Sequence, residues 1–139
     1  MSLLVVYNTC GLTGRENSDH YINNINTILN QDFDDYKIVF SGCLIKQETF
    51  EKVYSTFGKR ISYYLTNQKL AVNQSFNHAV LKGIEEYGEF DGYVYMASDV
   101  RFSDDRSALS KINARIMEPQ NGIVYPEIDH DNGYFWWFG

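Results

Sequence analysis

Cysteine is scarce in this chain: Cys10 and Cys43 are the only two among 139 residues, and neither belongs to a C-x-x-C pair. The pattern favours two buried or half-buried thiols over a disulfide or a metal site. Positive charge is also in short supply. Twelve Lys and Arg face 18 Asp and Glu, for a formal charge of −6 and an isoelectric point near 4.9. Nucleic acid and anionic membranes both reward a basic face, so neither is expected as a partner. An anionic ligand would need a local device, either a bound cation or oriented backbone N–H groups. No apolar run approaches the roughly 18 residues of a spanning helix. The first residues lack a basic leader and a cleavage site, which predicts a soluble, cytoplasmic protein. No G-x-G-x-x-G follows the first apolar run and no G-x-x-x-x-G-K-[ST] occurs anywhere, which argues against a dinucleotide fold and a P-loop NTPase. Internal repeats, linkers and low-complexity tracts are likewise missing.

What the chain does have is apolar and aromatic substance: 44% hydrophobic residues, with 11 Tyr and 9 Phe. That is enough for one domain, spanning 1–139, around a single core. Residues 3–7 form an uninterrupted apolar run, the pattern of a strand covered on both faces. A loop rich in small residues, 8–14, follows. Ser18 or Asp19 is placed to cap a helix to about residue 30, with Tyr21, Ile22, Ile25, Ile28 and Leu29 on its apolar side. Residues 37–40 read as a second strand closed by Ser41 and Gly42. Phe50, Val53, Tyr54 and Phe57 mark a second helix that Gly58 terminates. A third strand over 61–65 leads through an Asn-rich segment into a helix ending near Tyr87, with Val72, Phe76, Val80 and Ile84 as its expected buried stripe. Residues 93–97 read as a buried central strand. Ser103 is placed to cap a helix with Asp104 and Asp105 in its first turn, and 122–125 read as a fifth strand closed by Pro126.

The order is β-α-β-α-β-α-β-α-β, with connections long enough for right-handed crossovers. It predicts a three-layer α/β/α domain on a mainly parallel sheet. In such sheets ligands bind beyond the carboxyl ends of the strands, at the point where the strand order reverses. Gly92-Tyr-Val-Tyr-Met-Ala-Ser-Asp-Val-Arg-Phe102 stops its apolar run on a carboxylate, Asp99, at such a strand end.

The first strand ending in Tyr-Asn-Thr, the Asn-rich helix entrance, and Tyr93-Val-Tyr-Met-Ala-Ser-Asp-Val together resemble the nucleotide-binding half of family-2-type glycosyltransferases with the GT-A fold. Ala97-Ser98-Asp99 lines up with the family's D-x-D motif, of which only the last aspartate is kept. Asn67 and Asn77 match the asparagines of the helix entrance, and Asn8 and Thr9 fall where the family contacts the nucleoside. Phe40-Ser41-Gly42 stands where the family often carries D-D-G-S, leaving Ser41 for nucleotide contact without the usual acidic residue. The resemblance implies a donor pocket of Asn8, Thr9, Ser41, Asn67, Asn77, Ser98 and Asp99. It also implies Mn²⁺ or Mg²⁺ on Asp99 and inverting transfer from a nucleotide-diphosphate sugar to a saccharide or other hydroxyl acceptor. The chain ends near its fifth strand, where the family continues into an acceptor-binding half that supplies the catalytic base. Truncation of the domain at its C-terminus is therefore expected.

Each residue also has a plainer reading. Asp99 is otherwise a turn-former or helix cap, and Asn67 and Asn77 are cap and turn types. Arg101 suits either a phosphate or a surface ion pair with Asp104 or Asp105. In the tail, Asp129 and Asp131 are candidate bases and His130 a second candidate metal ligand; a polar loop is the alternative. The aromatic cluster 134–138 reads as core packing or as a stacking surface for an acceptor sugar. Two rival functions remain. One is a non-catalytic nucleotide-sugar-binding domain or fragment; the other is a receiver-like signalling module, against which stands the lack of an acidic pair after the first strand.

Overall fold

The computed structural model describes residues 2–13, 17–120, 122–123, 128–129 and 135–136. Four parallel strands, β1 (Leu3–Cys10), β2 (Tyr36–Cys43), β3 (Ser62–Thr66) and β4 (Gly92–Ala97), form a sheet in the order β3-β2-β1-β4. Between them run α1 (Ser18–Leu29), α2 (Gln47–Phe57) and α3 (Val72–Tyr87), and α4 (Ala108–Ile116) follows β4. A two-residue ladder, β5 (Ile128–Asp129) against β6 (Phe135–Trp136), is antiparallel.

The layering follows from handedness. The connections β1-α1-β2 and β2-α2-β3 step in the same direction, so right-handed crossovers put both helices on one face. The connection β3-α3-β4 steps back past β1, and the same rule sends α3 to the opposite face. Side-chain packing agrees. Leu3, Val5 and Tyr7 of β1 meet Tyr21, Ile25 and Ile28 of α1, Val53 and Phe57 of α2, and Leu109 of α4 in one core. Leu4 and Val6 meet Ala79 of α3, Val39 and Phe90 in the other. Alternation along one strand therefore supplies both cores.

Several expectations are corrected. The strand buried on both faces is β1, whereas β4 pairs only with β1 and lies at the border of the described sheet. Tyr93 and Tyr95 are 37% and 44% exposed because α3 packs chiefly over β1, β2 and β3 and covers β4 only in part, with Phe76 edge-on to Tyr95. The expected fifth strand falls largely outside the described residues, and Gly122 and Ile123 are not in a strand. The stripe of α3 is rotated: Ser75, Ala79 and Gly83 are buried, Phe76 and Val80 flank them, and Val72 is exposed. Small residues face the sheet here because the helix sits close to it. Finally, α1 is capped by Asn17, whose side chain accepts from the N–H groups of Asp19 and His20.

The last correction concerns α4, which begins at Ala108 and not near Ser103. Asp105 accepts from the backbone N–H of Ser107, an Asx-type turn that competes with helix. Gln31 then joins the two segments, accepting from Leu109 N–H and donating to the Asp105 carbonyl. Asp105 pairs with Lys111 at 3.1 Å, so the expected ion pair to Arg101 does not form.

The close approach of α3 gives a direct test. A Cβ on Gly83 would stand 2.5 Å from Leu4 Cδ2, and Leu4 is fully buried. Gly83→Ala should lower unfolding free energy by about 1–3 kcal/mol through overpacking, despite alanine's better helix propensity. A denaturant titration with an unchanged or higher midpoint would show that the contact relaxes freely.

Candidate functional site

Asn8, Thr9 and Cys10 were expected in a loop, as were Ser41 and Gly42. They instead prolong β1 and β2, with Asn8 beside Ser41, Thr9 beside Gly42 and Cys10 beside Cys43 in register. Polar residues thus form the carboxyl-end rim of the sheet while their backbones stay in the ladder. Asn8 is buried, and its side-chain oxygen accepts from Ser75 Oγ in the first turn of α3 at 3.0 Å. The hydroxyls of Thr9 and Ser41 are buried with no hydrogen-bond partner among the described residues. Such orphans are uncommon in finished interiors and call for an explanation.

On the other side of β1, the segment after β4 is tied down. Tyr7 donates its hydroxyl to the Ser98 carbonyl at 2.6 Å, and Asn24 Nδ2 donates to the same oxygen at 2.8 Å. Asn24 also donates to Tyr7 Oη at 3.2 Å and lies 3.2 Å from His20 Nε2. Val100 N–H bonds back to Ala97, closing a turn with Ser98 and Asp99 at its centre. Further on, Phe102 N–H donates to Thr27 Oγ1. Val100 and Phe102 point into the core, so Asp99 and Arg101 point out. The exposed Asp99 therefore sits on a turn anchored to α1 at Ser98 and Phe102.

Tyr7 and Asn24 were not singled out from sequence. A signal was available, because Asn24 falls three residues after Tyr21 and one before Ile25 on the apolar stripe of α1. A buried Asn on such a stripe must hydrogen-bond something.

These pieces meet where the strand order reverses, between β1 and β4. Asn8 and Ala97 are register partners, about 4.8 Å apart as in any sheet, and Asp99 follows two residues on. The reversal does not require β4 to be interior; it requires neighbouring strands from which the chain leads to opposite sides. The other expected donor residues lie along α3 and its approach. Asn67 is exposed just after β3, and Asn77 is exposed on the second turn of α3. Ala71 caps α3 without a side-chain acceptor, and Gln74 Oε1 takes the Ala71 N–H instead.

Among the described residues no three His, Cys, Asp or Glu side chains converge on a point. Asp129 is described only as part of β5, and His130 and Asp131 lie outside the described residues, as do Tyr134, Trp137 and Phe138 of the aromatic tail. His20 and His78 are exposed, the latter paired with the Tyr64 hydroxyl.

No protein-family model matches this sequence, and no curated protein matches it either. In structure, it is similar to the mannosyltransferase PcManGT from Pyrobaculum calidifontis, solved in complex with GDP-Man and Mn²⁺. The TM-score is 0.61 at 13% identity, over 84% of this chain and 32% of that one. The two share a fold. That fold is the mainly parallel α/β architecture expected from the sequence, and the chain spans about a third of the mannosyltransferase's length. No described helix is long and apolar enough to cross a membrane.

Two predictions follow the geometry. Asn24→Ala should cost about 1–3 kcal/mol and raise amide exchange at residues 99–102 above that of β2; equal protection in both proteins would rule out the tether. The second concerns alkali. Burial raises the Tyr7 hydroxyl well above its ordinary value of 10.0, the charges of Tyr21 and Asp99 add to this, and the Asn24 bond opposes it. Tyr63 is pushed up to about 12, first by burial and then by Tyr54. The unfolded chain thus loses these protons first, so stability is intact below about pH 10 and declines as pH rises from there. Tyr63→Phe should flatten the decline of the urea midpoint above about pH 10; a midpoint that stays level to about pH 12 in the parent would contradict the assignment.

Proposed function

We propose that this domain binds a nucleotide-diphosphate sugar across the carboxyl ends of β1 and β4, as the donor-binding part of a glycosyltransferase. One observation carries the reading: a lone exposed carboxylate, Asp99, is held on an anchored turn beside the polar end of the central strand, at the reversal of a sheet that shares its fold with a sugar-nucleotide-dependent enzyme. Asn8, Thr9 and Ser41 then line the nucleoside side. Thr9 in particular has a buried hydroxyl in want of a partner. Ser98, Asn67 and Asn77 border the diphosphate and sugar.

The donor set suits a weakly held hard cation. Mg²⁺ and Mn²⁺ take oxygen ligands and are commonly held by one or two carboxylates together with substrate phosphates. Asp99 would supply the protein ligand, with His130 as a second candidate. When bound, such an ion offsets the negative charge that grows on the departing diphosphate. Because a single carboxylate binds such an ion feebly, metal and nucleotide should bind together. The start of α3, whose N-cap residue Ala71 has no side-chain acceptor, gives a further source of positive potential for phosphate.

Transfer by inversion then needs a base to take the proton of the acceptor hydroxyl as it attacks the anomeric carbon opposite the diphosphate. Asp129 and Asp131 are the candidates within this chain. A second reading is favoured by one observation, the 32% coverage of the mannosyltransferase: the domain binds donor and leaves catalysis to segments it does not contain. Hydrolysis or transfer of a labelled donor separates the two.

The test is a thermal-shift panel of GDP-, UDP- and dTDP-sugars with and without Mn²⁺. A ligand at about 100 times its dissociation constant adds roughly 2.7 kcal/mol to the native state. At least one donor should raise the melting temperature by several degrees with Mn²⁺ and much less without it, and Asp99→Asn should remove the metal-dependent part. If no donor moves the transition in the presence of metal, the donor site is not there.

A further inference from the structure

The two thiols lie beside the rim just described, and nothing so far gives them a purpose. Cys10 and Cys43 are the last residues of β1 and β2 and are direct register partners in a parallel pair. Partners in such a pair project from the same face. Here it is the α3 face, shared with Asn8, Val39 and Ser41 by alternation. Adjacent strands run about 4.8 Å apart, inside the Cα separation of about 4.4–6.8 Å that a disulfide spans. The thiols are close enough for the Cys10 side chain to hydrogen-bond Cys43, and no disulfide joins them.

Cys43 also organises the approach to α3. Its Sγ donates to the Gln68 carbonyl at 3.0 Å and accepts from Leu70 N–H at 3.4 Å. The thiol proton is therefore a structural tether for residues 67–71, the segment that carries Asn67 and leads into the first turn of α3. Leu44, the next residue, has φ 57°, a left-handed conformation unusual for leucine, and its N–H bonds the Thr66 carbonyl. The turn after β2 is thus held to the β3–α3 segment by both a sulfur and a backbone contact.

We propose that Cys10 and Cys43 form a reversible disulfide whose closure releases the 67–71 segment. With hydrogen peroxide as oxidant, half-buried Cys10 is converted to the sulfenic acid with loss of water. Cys43 then gives up the thiol proton that burial holds on it and attacks that sulfur; the S–S bond forms as the S–O bond breaks, and the departing hydroxide takes that proton to leave as a second water. Two thiol protons and two electrons leave the protein, and peroxide is reduced to water. The bond consumes the proton that Cys43 donates to Gln68, so one of the two sulfur contacts to the segment is lost. Resting on the donor-site reading, a further consequence is weaker nucleotide-sugar binding in the oxidised form, since Asn67 and the start of α3 border that site.

The reduced protein is treated with hydrogen peroxide, then mapped by peptide mass spectrometry and by amide exchange. A Cys10–Cys43 crosslink is expected, making the chain about 2 Da lighter and reversible by dithiothreitol. Amides 68–72 should exchange faster only in the crosslinked form. Cys10→Ala should abolish both effects while leaving the buried site intact; Cys43→Ala should abolish the crosslink and, lacking the sulfur tether, exchange 68–72 faster with or without peroxide. Retention of two reactive thiols, over-oxidation at Cys10 alone, or purely intermolecular crosslinks would each overturn the proposal; a crosslink without faster exchange at 68–72 would overturn its tether. Donor affinity, measured in parallel, should fall about fivefold or more on oxidation. Absence of donor binding in the reduced protein would count against the donor site and leave the crosslink result standing on its own.

Discussion

Burial of both faces of β1 is the constraint from which the architecture follows. Leu3, Leu4, Val5, Val6 and Tyr7 are all fully buried. A strand that presents apolar side chains to both sides needs a layer of helix on each, and a chain restricted to right-handed crossovers can supply the second layer only by reversing its direction across the sheet. The reversal puts β4 on the far side of β1, and in open α/β sheets the carboxyl ends of two such strands are where ligands bind. The placement of the candidate site is thus a consequence of how one strand is covered, before any polar residue is considered.

Polar residues then fix what the crevice presents. On one face Asn8 reaches across to Ser75 and ties β1 to the start of α3. On the other, Tyr7 and Asn24 both spend donors on the Ser98 carbonyl. Buried hydrogen bonds of this kind contribute only about 1 kcal/mol each, but leaving their partners unpaired costs more. Their value lies in specifying one arrangement. The turn bearing Asp99 cannot drift without stranding the Tyr7 hydroxyl and the Asn24 amide in an apolar interior.

Much of the fold was legible in the sequence because uninterrupted apolar runs and three- or four-residue spacings are strong signals, and β1, α1, α2 and the α/β order came through on them. The ends of β1 and β2 were misplaced because Asn8, Thr9, Ser41 and Gly42 are turn-forming types, and only the sheet's own ladder decides that they stay extended. Ser103 resembled a helix cap, yet Asp105 captured the backbone first. Burial of β4 was overestimated for a different reason. Tyr and Val suit a half-covered strand as well as a buried one, and which face a helix covers depends on tertiary packing. The Tyr7–Asn24 clamp escaped for the same cause: its carbonyl partner lies 74 residues from Asn24. Residues 129–131 drew notice only for their chemical types, and of them only Asp129 falls among the described residues.

The charge pattern limits how this crevice can hold an anion. The chain carries a formal −6, and the most prominent side chain at the reversal is itself a carboxylate. On the proposed reading a diphosphate would lie close to Asp99, and without a cation the exposed carboxylate would repel it. A divalent ion inverts the sign of the local field, so the same carboxylate becomes an attachment point. One carboxylate cannot retain the ion alone, and a diphosphate cannot approach the carboxylate alone. On the proposed reading each would make the other's binding favourable, a mutual dependence that an acidic domain with one anchored aspartate at the reversal can offer.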